Sequence, residues 1–439
     1  VSVASAAQPP IQVFAFGTHP VGTTLSFTLP ENAASFTIIE QAVSAPFTAT
    51  FDFGMELNGP EPLALKDPDG TAILNPGPSP SDPTQAPLYH LSSSPGVAAL
   101  TLPSSSLGLS MVAAGLRAGT WSFEVSDLAY VCSLSSSCAS GGGSVSSTYD
   151  VTVLVKAGGE TSTVPLRGRV DITFNLIPGG DPPLSSATAE GDADVQRLVS
   201  SLAILLRRAK IDLGTVSYVD VPSAIAARAA SGVHLSDPSV CGDLSQLFAS
   251  APAGRQMNIF LVPTFLTGSS GSGSTISGVD GSVPGPATLS PTPQSGVAAS
   301  LANLRFGRAN CHSGLALNCG PLSDGTVTCC GADLTAYVVA HELGHFLGLY
   351  HVTEEHGTRF DPLRDTATCP CQSCAPHPKQ CADADPAPAS PHSMGVRECD
   401  VTPTCSGGAN LMFWLLDDES RGDLTFEQQQ IMRANPAVF

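Results

Sequence analysis

From residue 11 to about residue 156, apolar and polar positions alternate over short runs: 11–16 (IQVFAF), 23–28 (TTLSFT), 35–39 (SFTII), 47–53 (FTATFDF), 97–102 (VAALTL), 120–125 (TWSFEV) and 150–155 (DVTVLV). A period of two puts successive side chains on opposite faces of an extended chain, so each run predicts a half-buried strand. Turn residues separate the runs, as in DPDG at 67–70, where Pro presets one turn dihedral and Gly accepts a positive φ. Strands spaced this way predict an all-β unit of two packed sheets, a β-sandwich over residues 1–160. Cys132 and Cys138 are near enough in the chain to clip one hairpin or loop.

After residue 160 the period changes. Residues 168–177 (GRVDITFNLI) still alternate as a strand, but Val195, Leu198, Leu202, Leu205 and Leu206 recur at three-to-four spacing within 192–209. That is the stripe of an amphipathic helix. Further strands are expected at 215–220 (TVSYVD) and 257–262 (MNIFLV). Strand, helix and strand in this order predict an α/β (α+β) domain over residues 161–439, with helices packed on a mixed, twisted sheet. The Gly/Ser-rich segment 267–286 reads as a surface loop, with a place at the edge of a cleft as the alternative.

Composition sharpens this picture. A chain of 439 residues accommodates two to three domains, at about 150 residues each. The 42 Gly and 37 Pro, with charged residues at only 13%, suit strands and turns. The net charge of -19 would repel a nucleic-acid backbone or an anionic lipid surface, so neither is an expected partner. No apolar run approaches the roughly 18 residues of a membrane span. Eleven of the 13 cysteines follow residue 240, at irregular spacing in Pro- and Ser-rich loops. That pattern predicts disulfides, and with them an exported protein whose signal peptide has been removed. An odd count leaves one thiol over.

The densest chemistry lies in DLTAYVVAHELGHFLGLYH at 333–351. His341 and His345 are four residues apart, so on a helix both imidazoles leave one face about a turn apart and can grip one ion. Glu342 then lies beside the ion without filling its last site. Gly348 can take the left-handed conformation that ends a helix, and the chain can turn back to bring His351 in as a third ligand. Three neutral nitrogens on one Zn²⁺ leave a fourth position for water, whose pKa falls to about 7 in such sites. Glu342 is the expected general base, passing the proton to the leaving amine of a hydrolysed peptide bond.

The extended motif HELGHFLGLYH (341–351) resembles that of the metzincin zinc endopeptidases. That family carries a methionine turn downstream, and GGANLM at 407–412 matches it, so Met412 is expected beneath the three histidines as an apolar floor. With DTATC (365–369) and LTFEQQQIMR (424–433), the chain looks most like the pappalysin-type secreted bacterial branch. The likeness covers roughly residues 170–439. Two positions depart from it: Trp414 stands where several metzincins have an oxyanion-binding Tyr, and Ala367 replaces a loop proline, so no role passes to Asp365. The resemblance implies peptide substrates bound extended along an edge strand. In the first half, TLSFTLPENAASFTI (24–38), DPDGTAIL (67–74) and AGTWSFEV (118–125) resemble the pre-peptidase and P-like β-sandwich modules beside secreted peptidases.

The insert from 352 to 405 carries six cysteines and reads as a disulfide-stapled loop beside the cleft, with a second zinc site as the alternative. Of the other histidines, His356 is expected nearest the site, and the rest in turns or polar loops. The acids at 382–385 (ADAD) and 417–419 (DDE) show no ordered ligand spacing for Ca²⁺ and read as a solvated face. The expected activity is that of a secreted zinc endopeptidase. Its alternatives are a catalytically silent binding or adhesion protein, and a latent precursor in which a thiol such as Cys241 covers the zinc.

Overall fold

The computed structural model describes residues 11–43, 55–60, 63–73, 97–132, 138–141, 148–158, 164–178, 184–235, 242–266, 276–281, 285, 296–304, 331–416 and 422–439. The expected strand at 47–53, Cys241 and the acids at 417–419 lie outside them.

The first half contains β1 (Ile11–Pro20), β2 (Thr24–Leu29), β3 (Ala33–Ala42), β4 (Met55–Pro60), β5 (Leu63–Lys66), β6 (Val97–Leu102), helix α1 (Ser106–Ala113), β7 (Gly119–Glu124), β8 (Asp127–Cys132), β9 (Cys138–Gly141) and β10 (Thr148–Ala157). One sheet has the order β1-β10-β3-β6, a second β2-β7-β5, and a small third β4-β8-β9. The first two pack face to face through aromatic rings: Phe36 of β3 lies 5.2 Å from both Phe27 of β2 and Trp121 of β7, centroid to centroid. Their edge-on geometry suits ring quadrupoles. The alternating burial of β2 (eBeBeB) shows why the period of two was visible. β5, β8 and β9 lie in stretches without that alternation. Cys132 and Cys138 are direct partners in the register of the β8–β9 hairpin.

The second half contains β11 (Gly168–Leu176), α2 (Ser186–Ala189), α3 (Ala193–Arg208), β12 (Ile211–Asp220), α4 (Ser223–Ala229), β13 (Val233–His234), α5 (Asp243–Ala249), β14 (Met257–Val262), β15 (Phe265–Leu266), β16 (Gly278–Asp280), β17 (Val297–Ser300), α6 (Gly331–Phe346), α7 (Cys371–Cys374) and α8 (Phe426–Ala434). The main sheet has the order β12-β11-β14-β17-β16. Its first four strands are parallel, and β16 runs antiparallel to β17 at the edge. Ile259 and Leu261 of β14 face one buried apolar cluster, Phe260 and Val262 another, so this strand is covered on both faces. The chain is thus a mixture of several β-sheets and packed helices.

Helix α3 buries Val195, Leu198, Leu202, Leu205 and Leu206, the stripe expected from its spacing, and packs on α6. Burial of each Leu contributes roughly 2 kcal/mol. A buried carboxylate fixes the pairing: Asp333 of α6 accepts from Arg197 Nη2 at 2.6 Å and from Ser201 Oγ.

The two halves share a continuous cluster of buried apolar side chains, and a lysine fastens them. Lys156, at the end of β10, is 1% exposed and donates to the carbonyls of Arg433 (2.6 Å), Asn435 (3.1 Å) and Val438 (2.6 Å). Burial, with the charges of Arg255 and Arg433, pushes its pKa from 10.5 down to about 7. Holding the ammonium there therefore costs free energy that the three carbonyls offset. Replacing it by Met strands those carbonyls, and we expect Lys156→Met to lose about 3 kcal/mol in urea unfolding. A loss under about 0.5 kcal/mol would mean that water substitutes for the lysine.

Candidate metal centre

Helix α6 is buried on nearly all sides, as its apolar run demands. It ends in a Schellman motif: the N–H of Leu349 bonds the Gly344 carbonyl at 2.9 Å, and that of Gly348 bonds the His345 carbonyl at 2.8 Å. Gly348 has φ +106°, a conformation that side chains disfavour. The chain reverses there and returns His351 towards the helix, as its sequence position suggested.

The three imidazoles converge. His351 Nε2 lies 3.1 Å from His345 Nε2 and 3.3 Å from His341 Nε2, and the three ligand atoms all fall within 4.8 Å of one another. Each outer nitrogen meets an acceptor. His341 Nδ1 faces the Leu411 carbonyl at 2.7 Å, His345 Nδ1 the Leu349 carbonyl at 2.8 Å, and His351 Nδ1 a carboxylate oxygen of Glu354 at 2.9 Å. Carbonyl and carboxylate oxygens accept, so the Nδ1 atoms carry hydrogens and the Nε2 atoms are the ones left to bind an ion. Three lone pairs therefore point at a common space. Burial and His351 push His341 down to about 3; burial and the other two histidines hold His345 well below the usual imidazole range. A cation resolves the repulsion among the lone pairs, and the donor set fits a metal ion. Among the described residues no other group of His, Cys, Asp or Glu has this arrangement.

Met412 is fully buried under α6. Its Sδ would lie 2.4 Å from a Cβ on Gly344, so the helix accepts the thioether because that residue is glycine. Glu342 sits on α6 against the edge strand. A Cβ on Gly278 of β16 would lie 2.6 Å from Glu342 Oε1, and the Asp280 N–H donates to the carboxylate. Burial first, then the Asp280 carboxylate, raises the Glu342 pKa well above the carboxylate range, and that N–H opposes the shift. Part of the Gly/Ser-rich segment thus forms the rim beside Glu342.

Trp414 is half-buried, and its indole N–H donates to the Met394 carbonyl at 2.8 Å. That donor is used within the fold and anchors the insert. His356 Nδ1 bonds the His392 carbonyl and His392 pairs with Glu398, so His356 stands outside the cluster. Asp365 accepts from the Glu427 N–H at the start of α8. The insert is stapled by Cys369–Cys399, Cys371–Cys381 and Cys374–Cys405, so its six sulfurs are paired and form no second metal site. Asp383 accepts from Gln372 at 2.9 Å and Asp385 is exposed.

Sequence reasoning missed Glu354, Asp280 and the carbonyls of Leu349 and Leu411. An acid three residues after His351 was a readable signal for Glu354; for the carbonyls there was none. No family model matches this chain, and no curated protein matches it. We expect Glu354→Gln, which removes the charge opposite His351 Nδ1, to weaken metal binding about tenfold. Competition against a chromophoric chelator measures it, and unchanged affinity would remove Glu354 from the centre.

Proposed function

We propose that this chain is an exported zinc-dependent endopeptidase of the metzincin type, hydrolysing peptide bonds within proteins. The observation that carries this reading is the placement of Glu342 on the same helix as His341 and His345, next in the chain to the first of three convergent imidazoles and against an edge strand. A structural metal site needs no carboxylate there. When bound by the three histidines, zinc supplies a Lewis acid that polarises the scissile carbonyl and acidifies water.

The remaining roles belong to the chain. Glu342 takes the proton from the attacking water and returns it to the departing amine. The Asp280 N–H holds the carboxylate in place between these events. Among the described residues β16 is the last strand of its sheet, so an extended substrate can add to its outer edge by main-chain pairing, with side chains alternating. Gly278 lets that strand lie close to Glu342, which brings a bound peptide to the acid. Met412 packs against Gly344, between His341 and His345 in the helix, and serves as the apolar support of the cluster in this reading. With its N–H committed to Met394, Trp414 is not the oxyanion donor in this reading.

Export is supported by the three disulfides of the insert, since such bonds persist in oxidising compartments. No helix among the described residues is long and apolar enough to cross a membrane.

Cleavage of casein by the purified protein tests the proposal. Glu342→Ala is expected to lower the rate at least about 100-fold while leaving zinc bound, and chelation should abolish activity until zinc is restored. Full activity in either the variant or the chelated sample would end the reading.

A further inference from the structure

We propose that Gln428 is a positioning residue for the metal centre: through a reciprocal amide pair with Asn410 it holds the Leu411 carbonyl on His341. The proposal rests on the metal-centre reading above and extends it to a side chain on α8, 77 positions after the last histidine of the cluster.

Gln428 is completely buried and Asn410 is 7% exposed. Two backbone donors fix both amide orientations. The Thr425 N–H donates to Gln428 Oε1 at 3.0 Å, and the Met412 N–H donates to Asn410 Oδ1 at 2.8 Å. The remaining atoms then match: Asn410 Nδ2 donates to Gln428 Oε1 at 2.8 Å, and Gln428 Nε2 donates to Asn410 Oδ1 at 3.2 Å. Leu411 lies between the two residues so fixed, and its carbonyl takes the Nδ1 hydrogen of His341. Its own N–H is held by the Asp423 carbonyl at 2.8 Å. The Leu411 carbonyl therefore has little freedom to leave the imidazole.

The anchor behind Gln428 is rigid. Helix α8 begins with a capping box in which Thr425 Oγ1 accepts from the Gln428 N–H at 3.3 Å. The sandwich grips both ends of the helix: Ser106 Oγ donates to the Glu427 carboxylate, and Ser35 Oγ donates to the Ala434 carbonyl at 2.6 Å. A hydrogen-bonded path thus runs from the sandwich through α8 and the amide pair to one imidazole of the cluster. Buried amides in such a path are costly to break and specify one geometry.

The test uses the full chain and measures zinc affinity by chelator competition, the visible bands of the cobalt-loaded protein, and thermal unfolding. Gln428→Met, which keeps volume and removes both amide contacts, is expected to weaken zinc at least about tenfold and to shift the cobalt bands. Gln428→Glu keeps the two bonds that Oε1 accepts but turns its second oxygen against Asn410 Oδ1, so it should lose affinity as Gln428→Met does. Thr425→Ala weakens the helix cap but spares the amide pair, so it should lower the melting temperature and leave affinity within about twofold of the unmodified protein. If Gln428→Met does not fold, Asn410→Asp breaks the pair from the other side, keeps the Met412 contact and should show the same affinity loss. Unmodified affinity and bands in Gln428→Met, or in Asn410→Asp when it is the one that folds, would overturn the proposal. So would an equal loss in Thr425→Ala, which would make the effect one of general stability. Failure of the unmodified protein to bind zinc would instead remove the underlying metal-centre reading.

Discussion

Three imidazoles held with their bare nitrogens 3.1–3.3 Å apart across two contacts set the constraint from which much of the second half follows. Rings brought so close crowd nitrogen against nitrogen, and nothing in the rings themselves keeps them there. What does so is an acceptor behind each ring. The Leu411 carbonyl, the Leu349 carbonyl and the Glu354 carboxylate each take one Nδ1 hydrogen. Each acceptor comes from a different structural device: the methionine turn, the Schellman end of α6, and the first turn of the insert. A metal ion placed in the common space meets donors already oriented, so little ordering remains to be done on binding.

The rest of the fold secures those devices. The first turn of the insert is tied down by the Cys369 N–H on Thr353 Oγ1 and the Cys371 N–H on the Gly357 carbonyl, and both cysteines are themselves stapled. Disulfides here reinforce the few buried apolar side chains, Leu363, Met394 and Val396, that the segment contributes. The Trp414 indole links the methionine turn to the same insert at Met394. On the other side, Asp333 locks α6 to α3, and Lys156 and Ser35 lock the last helix and the turn after it to the sandwich. The first half of the chain is accordingly continuous with the frame around the histidine cluster, and the buried apolar cluster runs through both.

Electrostatics follow the same plan. The chain carries a net charge of -19, yet the buried charged groups beside the frame are handled individually. Asp333 meets a guanidinium, and Lys156 meets three carbonyls. Glu342 and Asp280 face one another at the rim. Burial and a like neighbour both disfavour the charged form of Glu342, at a cost to stability.

By itself the sequence determined the strands with a clean period of two, the stripe of α3, the helical spacing of His341 and His345, the helix-ending place of Gly348 and the crowding of cysteines in the insert. All of these are local patterns, in which the identity of a side chain and its spacing carry the signal. Tertiary structure decided the rest. β5, β8 and β9 pair in stretches without alternation, and β16 emerges from a segment whose composition reads as loop. The carbonyl that orients His341 comes from Leu411, 70 residues away, and the amide that steadies it from Gln428 on another helix. Every residue but proline offers the same backbone donor and acceptor, so no letter in the sequence marks which carbonyl will meet an imidazole; only the folded path of the chain selects it.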